Sequence, residues 1–225
     1  MQENLILNRE EFERHLNELA EMVVRQQGIH FESHTEARSY VKDTTEKLEQ
    51  LLARGNAMFI EGLRHLIARN QQPVAELASK IVDNLAAPDR VAEIIDRDIL
   101  KNPASLRLFS EAVNSFYDCG NYQVEESVIS VLLTLFPMEP QPFVCYGTLI
   151  WRRDGIAEAV SYYQKIVDMF ESPILDYFAS DCYDKFGNRR EARLLLERAF
   201  QSASQAPYLF ADVLQLIQSA LKKPF

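Results

Sequence analysis

The chain has 225 residues, a formal net charge of -9 and a sequence pI near 5.0, with 47% hydrophobic and 25% charged residues. That balance can bury a sizeable core in one or two domains. Acids outnumber bases in both halves, 18 to 12 over residues 1–100 and 15 to 12 over residues 101–225, so no basic stripe exists to neutralise phosphates and nucleic acid is not expected as a partner. No apolar run approaches the roughly 20 residues of a membrane span, and the first residues lack the basic start, apolar stretch and cleavage site of a signal peptide.

In chain order, Asn8 with Glu11 forms a capping box. Phe12, Leu16, Leu19 and Val23 follow at helical steps, predicting an amphipathic helix that ends near Gly28. Ser33 with Glu36 repeats the cap signature and opens a longer helix. Its seam runs through Ala37, Val41, Thr44, Leu48, Leu51, Gly55, Met58, Gly62 and Leu66, a near-heptad series. Gly55 and Gly62 lie on or beside that seam, where small residues let another backbone approach closely. Residues 1–70 therefore read as an N-terminal helical hairpin. Pro73 and Pro88 each start a shorter helix, giving connecting helices over 71–102 that Asn102-Pro103 closes.

From residue 103 onward the chain repeats. Gly120-Asn121-Tyr122, Asp154-Gly155-Ile156 and Gly187-Asn188-Arg189 mark the same turn in three units spaced by about 34 residues. Phe143, Gly147, Ala159 and Tyr163 fall in register in the second unit, and Ala192, Leu196 and Ala199 do so in the third. The first has Phe109, Phe116, Tyr122 and Pro137, but Glu125 stands where a small residue belongs, a departure expected to loosen that unit. Pro207 starts a last helix through Leu221, with Leu209, Val213, Leu216, Ile217 and Ala220 as its apolar side. The fold expected is all-α: a tetratricopeptide helical solenoid of about three repeats over 103–225, closed by a capping helix and preceded by the hairpin.

Over roughly residues 103–206 the sequence resembles the tetratricopeptide chaperones of type III secretion translocators. The likeness rests on Phe143-Val144-Cys145-Tyr146-Gly147 followed by Glu158-Ala159-Val160-Ser161-Tyr162-Tyr163. It continues through Pro173, Tyr177, Ala179-Ser180-Asp181-Cys182, Gly187 and Glu191-Ala192. The resemblance implies a bacterial, cytoplasmic, often dimeric protein that holds an extended segment of a secreted substrate in its concave groove. The hairpin departs from that family's brief N-terminal extension. Three roles are open to it: a dimerisation arm giving a homodimer through residues 9–70, a second binding surface, or a fused partner-like segment.

Tetratricopeptide units turn first-helix positions 2, 5, 9, 12 and 13 to the concave side. Carried over, these are Arg107, Ser110, Asn114, Tyr117 and Asp118, then Gln141, Val144, Thr148, Trp151 and Arg152, then Ile174, Tyr177, Asp181, Asp184 and Lys185. Tyr117, Trp151 and Tyr177 are the expected anchors, since interface hot spots favour Trp, Tyr and Arg, while Asn114, Arg152 and Asp181 can bond a peptide backbone.

Chemistry has little to stand on. His30 and His34 flank Glu32 in a stretch that reads as a loop, with no HExxH motif and no third ligand. His15 and His65 sit on amphipathic helices. The three cysteines, Cys119, Cys145 and Cys182, form no CxxC and are expected to pack in the first helix of each repeat, as in a reduced cytoplasmic protein. No cofactor, metal or catalytic group is expected. The alternative to a secretion-substrate chaperone is a structural adaptor in a secretion-apparatus assembly, oligomerising through the N-terminal helices.

Overall fold

A computed structural model describes residues 9–26, 31, 33–69, 71–117 and 119–222; the Asn8 cap, His30, Glu32 and Asp118 lie outside them, as do the side chains of Phe12 and His34. Among the described residues the chain is helical throughout, with eleven α-helices and no strand. It divides into two compact units, 1–108 and 109–225. No described helix is long and apolar enough to cross a membrane.

In the first unit, α1 (Arg9–Gln26) packs on α2 (His34–Arg69). Ser33 Oγ accepts from the Glu36 amide at 3.2 Å, so the second cap forms as its sequence signature requires. The apolar stripe of α1 is Leu16, Ala20 and Val24, whereas Leu19 is exposed and Val23 half-buried. Ala20, with its small side chain, lets the helices approach on that line, and Asn17 accepts from Thr45 across it at 3.0 Å. The α2 seam is buried at Gly62 and Leu66 but exposed at Leu51 and Gly55. A Cβ placed on Gly55 would meet nothing within 4 Å, so among the described residues the close backbone approach expected there is not made. Beyond α2, α3 (Val74–Asp83) packs back on it, and α4 (Pro88–Ile94) runs on as a π-helical turn, Ile95–Leu100.

The second unit contains the last part of α5 (Ser105–Asn114), then α6 (Tyr122–Leu135), α7 (Pro140–Asp154), α8 (Ile156–Ile166), α9 (Pro173–Phe186), α10 (Arg189–Gln205) and α11 (Ala211–Leu221). Local sequence sets these boundaries. Pro140 and Pro173 open their helices where a missing N–H costs nothing. Asn121, Ser172 and Asn188 side chains cap α6, α9 and α10 through the amides of Gln123 and Val124, Leu175 and Glu191. Gly155 and Gly187 turn the chain between helices at φ 99° and 94°, a region that penalises any Cβ.

Two consecutive helix pairs, α7–α8 and α9–α10, with α11 closing on α10, result. Tyr162 and Tyr163 on α8 donate to the Phe143 and Val144 carbonyls of α7 at 3.2 and 3.5 Å, which fixes the α7–α8 pair antiparallel. Gly147 leaves room for the Tyr163 ring, which is fully buried. Ala192, Leu196 and Ala199 are buried in α10, and Leu196 and Ala199 meet Ile217 of α11. The closing helix begins at Ala211 rather than Pro207. Leu209 is left on the exposed 206–210 turn, and Leu216 faces outward.

Two of the three cysteines pack as expected. Cys145 and Cys182 are buried, but Cys119 is exposed beyond the end of α5, where its thiol lies 3.5 Å from the Asn121 carbonyl. Burial pushes the Cys145 thiol up to about 11 and the Cys182 thiol up to about 12. It also raises the Tyr162 and Tyr163 phenols above their ordinary value. Unfolding returns these groups to about 8.5 and about 10. Above those values the unfolded chain binds fewer protons than the folded one, so stability falls as pH rises. The melting temperature of the 109–225 unit is therefore expected to drop between about pH 9 and pH 11. Thermal melts followed by circular dichroism test this, and Tyr162→Phe should make the fall shallower.

Candidate functional site

The residues expected to line a groove are best followed from α7 outward. Helix α7 is packed by α6, α8 and α9, so much of its surface is spent on the core. Val144 is 3% exposed within the core cluster beneath Tyr163, and it has no side-chain surface to offer a ligand. The half-buried strip that remains carries Gln141, Thr148, Trp151 and Arg152. Thr148 turns its hydroxyl inward to the Val144 carbonyl at 2.9 Å. Gln141 reaches the Cys145 sulfur at 3.9 Å.

Two rings on neighbouring repeats are each covered by a cation from the next first helix. The Arg152 guanidinium stands 4.2 Å from the centroid of the Tyr117 ring and 5.6 Å from that of Tyr122. Lys185 Nζ stands 4.3 Å from the Trp151 ring. Cation–ring contacts of this kind contribute about 0.5–1 kcal/mol at exposed sites and more when desolvated. Trp151 follows Tyr117, and Lys185 follows Arg152, by about one 34-residue repeat, so the same contact is built twice.

Each cation is also held by a carboxylate. Lys185 donates to Asp181 at 2.7 Å. Arg152 donates to both oxygens of Glu125 at 2.9 and 3.3 Å, and Glu125 is only 3% exposed. Glu125, the residue out of place in the first repeat, is thus the inner half of an ion pair joining α6 to α7. Arg152, expected to bond a peptide backbone, is already engaged by Glu125 and two rings. Arg153 makes the parallel link beside it, donating to Glu126 at 2.9 Å, while Tyr146 donates to the same carboxylate at 2.9 Å.

The third anchor, Tyr177, is half-buried against the Leu196–Ile217 cluster and stands edge-on to Phe178 at 5.6 Å. Burial, with Asp181 adding to it, raises its phenol above the ordinary value. Ile174 packs on the core cluster that holds Val144 and Tyr163, and Asp184 is exposed. On α5, Asn114 is exposed, but Ser110 is buried with no partner for its hydroxyl, a place closed to a ligand. Arg107 is exposed and belongs to the first unit.

The structure therefore brings Tyr117, Trp151, Arg152, Asp181 and Lys185 into two linked cation–ring clusters and removes Val144 and Ser110 from any binding face. Glu125 is the member that position-by-position carry-over missed. Its signal was present, since a carboxylate in a slot for a small apolar side chain requires a cation nearby. No protein-family model, curated protein or solved structure matches the chain.

Proposed function

We propose that the second unit is a tetratricopeptide-like solenoid and that the protein is a cytoplasmic bacterial chaperone for type III secretion substrates, holding an extended segment of a secreted protein along the first-helix face. The observation that carries this reading is the doubled cluster Tyr117–Arg152 and Trp151–Lys185. It places amphipathic rings at repeat intervals, each fixed by a neighbouring charge. Rings held in place lose little side-chain freedom on binding, so more of their buried area counts toward affinity. Tyr177 would supply the third station. The mechanism is stoichiometric: the face shields apolar side chains of the export segment until release, with the moderate affinity expected when a flexible chain is ordered.

The test is capture of the secreted substrate by the tagged chain in its native cytoplasm. Tyr117→Ala, Trp151→Ala and Tyr177→Ala together should reduce capture at least tenfold while helicity is retained. Undiminished capture would remove the function from this face.

A second reading, a structural adaptor, is favoured by the α2 seam, whose middle at Leu51 and Gly55 is uncovered. On that reading, light scattering gives an oligomer for the full chain, and Leu51→Glu with Leu52→Glu returns it to a monomer.

A further inference from the structure

The large apolar side chains of the second unit that are most exposed do not scatter. Met138 (81%), Met169 (64%), Tyr208 (82%) and Leu209 (66%) exceed the next, Leu194 at 51%, and all four lie in the loops α6–α7, α8–α9 and α10–α11. Antiparallel helices joined by short turns put alternate loops at the same end of a stack. Side-chain contacts agree. The Phe143 ring, in the first turn of α7, lies 4.8 Å from Phe170 in the α8–α9 loop. From the middle of α10, about two turns before its closing loop, Arg198 reaches the α8–α9 loop, donating to Asp168 at 3.1 Å and to the Val167 carbonyl at 3.2 Å. The alternation of the helices thus puts three loops with four unpacked apolar side chains at one end of the stack.

Acids are in excess on that edge. Glu139, Asp168 and Glu171 stand in the first two loops, and none of the three loops holds a Lys or Arg. Lys165 is exposed in the last turn of α8 beside the second loop, and the charge of Arg198 is matched by Asp168 and by the buried Asp176, so the acids stay in excess. Glu139 and Glu171 are exposed. Isolated exposed apolar residues are ordinary, but an aligned set with an acidic rim marks a binding surface.

We infer that this loop edge is a docking surface for a cationic amphipathic helix, separate from the first-helix face. Met and Tyr side chains adapt to an apolar helix stripe, and Glu139 and Glu171 select Lys or Arg beside that stripe. Adjacent helices stand about 8–10 Å apart, so the edge spans roughly 20 Å, about four turns of a docked helix. Apolar burial supplies the affinity. The exposed carboxylates supply selectivity and salt dependence, because solvated ion pairs add little by themselves. The same acids disfavour an anionic membrane surface.

The experiment uses the full chain and a labelled helical peptide of Leu and Lys about 16 residues long, with a Leu/Glu peptide of equal length as control. Fluorescence anisotropy should give a Kd on the order of 10 μM for the cationic peptide and no binding of the acidic one. Met138→Gln, Met169→Gln, Tyr208→Ser and Leu209→Gln together leave the charge unchanged and should weaken binding at least tenfold. Glu139→Gln with Glu171→Gln should weaken it about threefold and flatten its salt dependence. The inference is overturned if the native chain ignores the cationic peptide. It is equally overturned if the four-residue variant, still helical, binds as well as the native chain, which would reduce the interaction to net charge. Binding of anionic vesicles in preference to the peptide would also overturn it.

Discussion

Gly147→Ala is expected to destabilise the second unit by about 2 kcal/mol, although alanine is the better helix former. A Cβ built on Gly147 lies 2.5 Å from Tyr163 Cζ and 2.9 Å from Cε2, far inside contact distance. Tyr163 cannot swing away cheaply. Its ring is 1% exposed, its hydroxyl is tied to the Val144 carbonyl, and Tyr162 packs edge-on at 5.5 Å. The added methyl must therefore push α7 from α8 or force the ring off its rotamer, typically a cost of about 1–3 kcal/mol. The roughly 1 kcal/mol gained from helix propensity offsets only part of that. In a Tyr163→Leu background the clash is gone and the propensity gain remains, so Gly147→Ala should there be neutral or stabilising. Urea unfolding of the four variants reads this directly. Loss of equal size in both backgrounds would mean that the glycine serves something other than the ring.

Arg152→Ala is the second large effect, at about 2–3 kcal/mol. Removing one partner of a buried pair leaves an uncompensated charge and commonly costs about 3–5 kcal/mol. The lower figure is expected because the Arg152 side chain keeps 26% exposure, so water can enter on that side. Burial alone would lower the Arg152 pKa, but Glu125, Tyr117 and Tyr122 together raise it, so the cation is secure at all ordinary pH. Glu125→Ala should cost less, about 1 kcal/mol, since the orphaned guanidinium reaches solvent while staying on Tyr117. The double variant Glu125→Ala with Arg152→Ala should be more stable than Arg152→Ala alone, because it restores the small residue that the first repeat otherwise lacks. Simple additivity would show that the two side chains do not depend on each other.

These two sites also show how far the sequence could be read. Gly147, Ala159 and Tyr163 could be placed in register because their spacing follows from packing within one antiparallel pair, where the sequence separation is short and constant. The turn glycines were legible for the same local reason: Gly155 and Gly187 hold backbone conformations that other residues avoid. Glu125 and Arg152 belong to different repeats, and nothing in their spacing says that a buried carboxylate will be met from the next helix. Val144 was assigned to a face by position alone, but α7 touches three neighbours and has little face to spare, and Ser110 on α5 is buried as well. In α1 the sequence favoured the larger Leu19 over Ala20, whereas the packing line follows the small residue that lets α2 approach. The turn at 206–210 was read as helix because Pro207 is a good first-turn residue, yet Leu209 there finds no core to join.

The central claim is that the first-helix face holds an extended segment of a secreted protein. Site-specific photo-crosslinking in the native cytoplasm addresses it most directly, with the photoreactive residue placed at Gln141 or Tyr177 and, as reference, at Leu194 on α10. Crosslinks to one secreted protein from positions 141 and 177, and none from 194, are the expected result. Equal labelling from all three positions, or labelling confined to components of a secretion apparatus, would contradict the chaperone assignment.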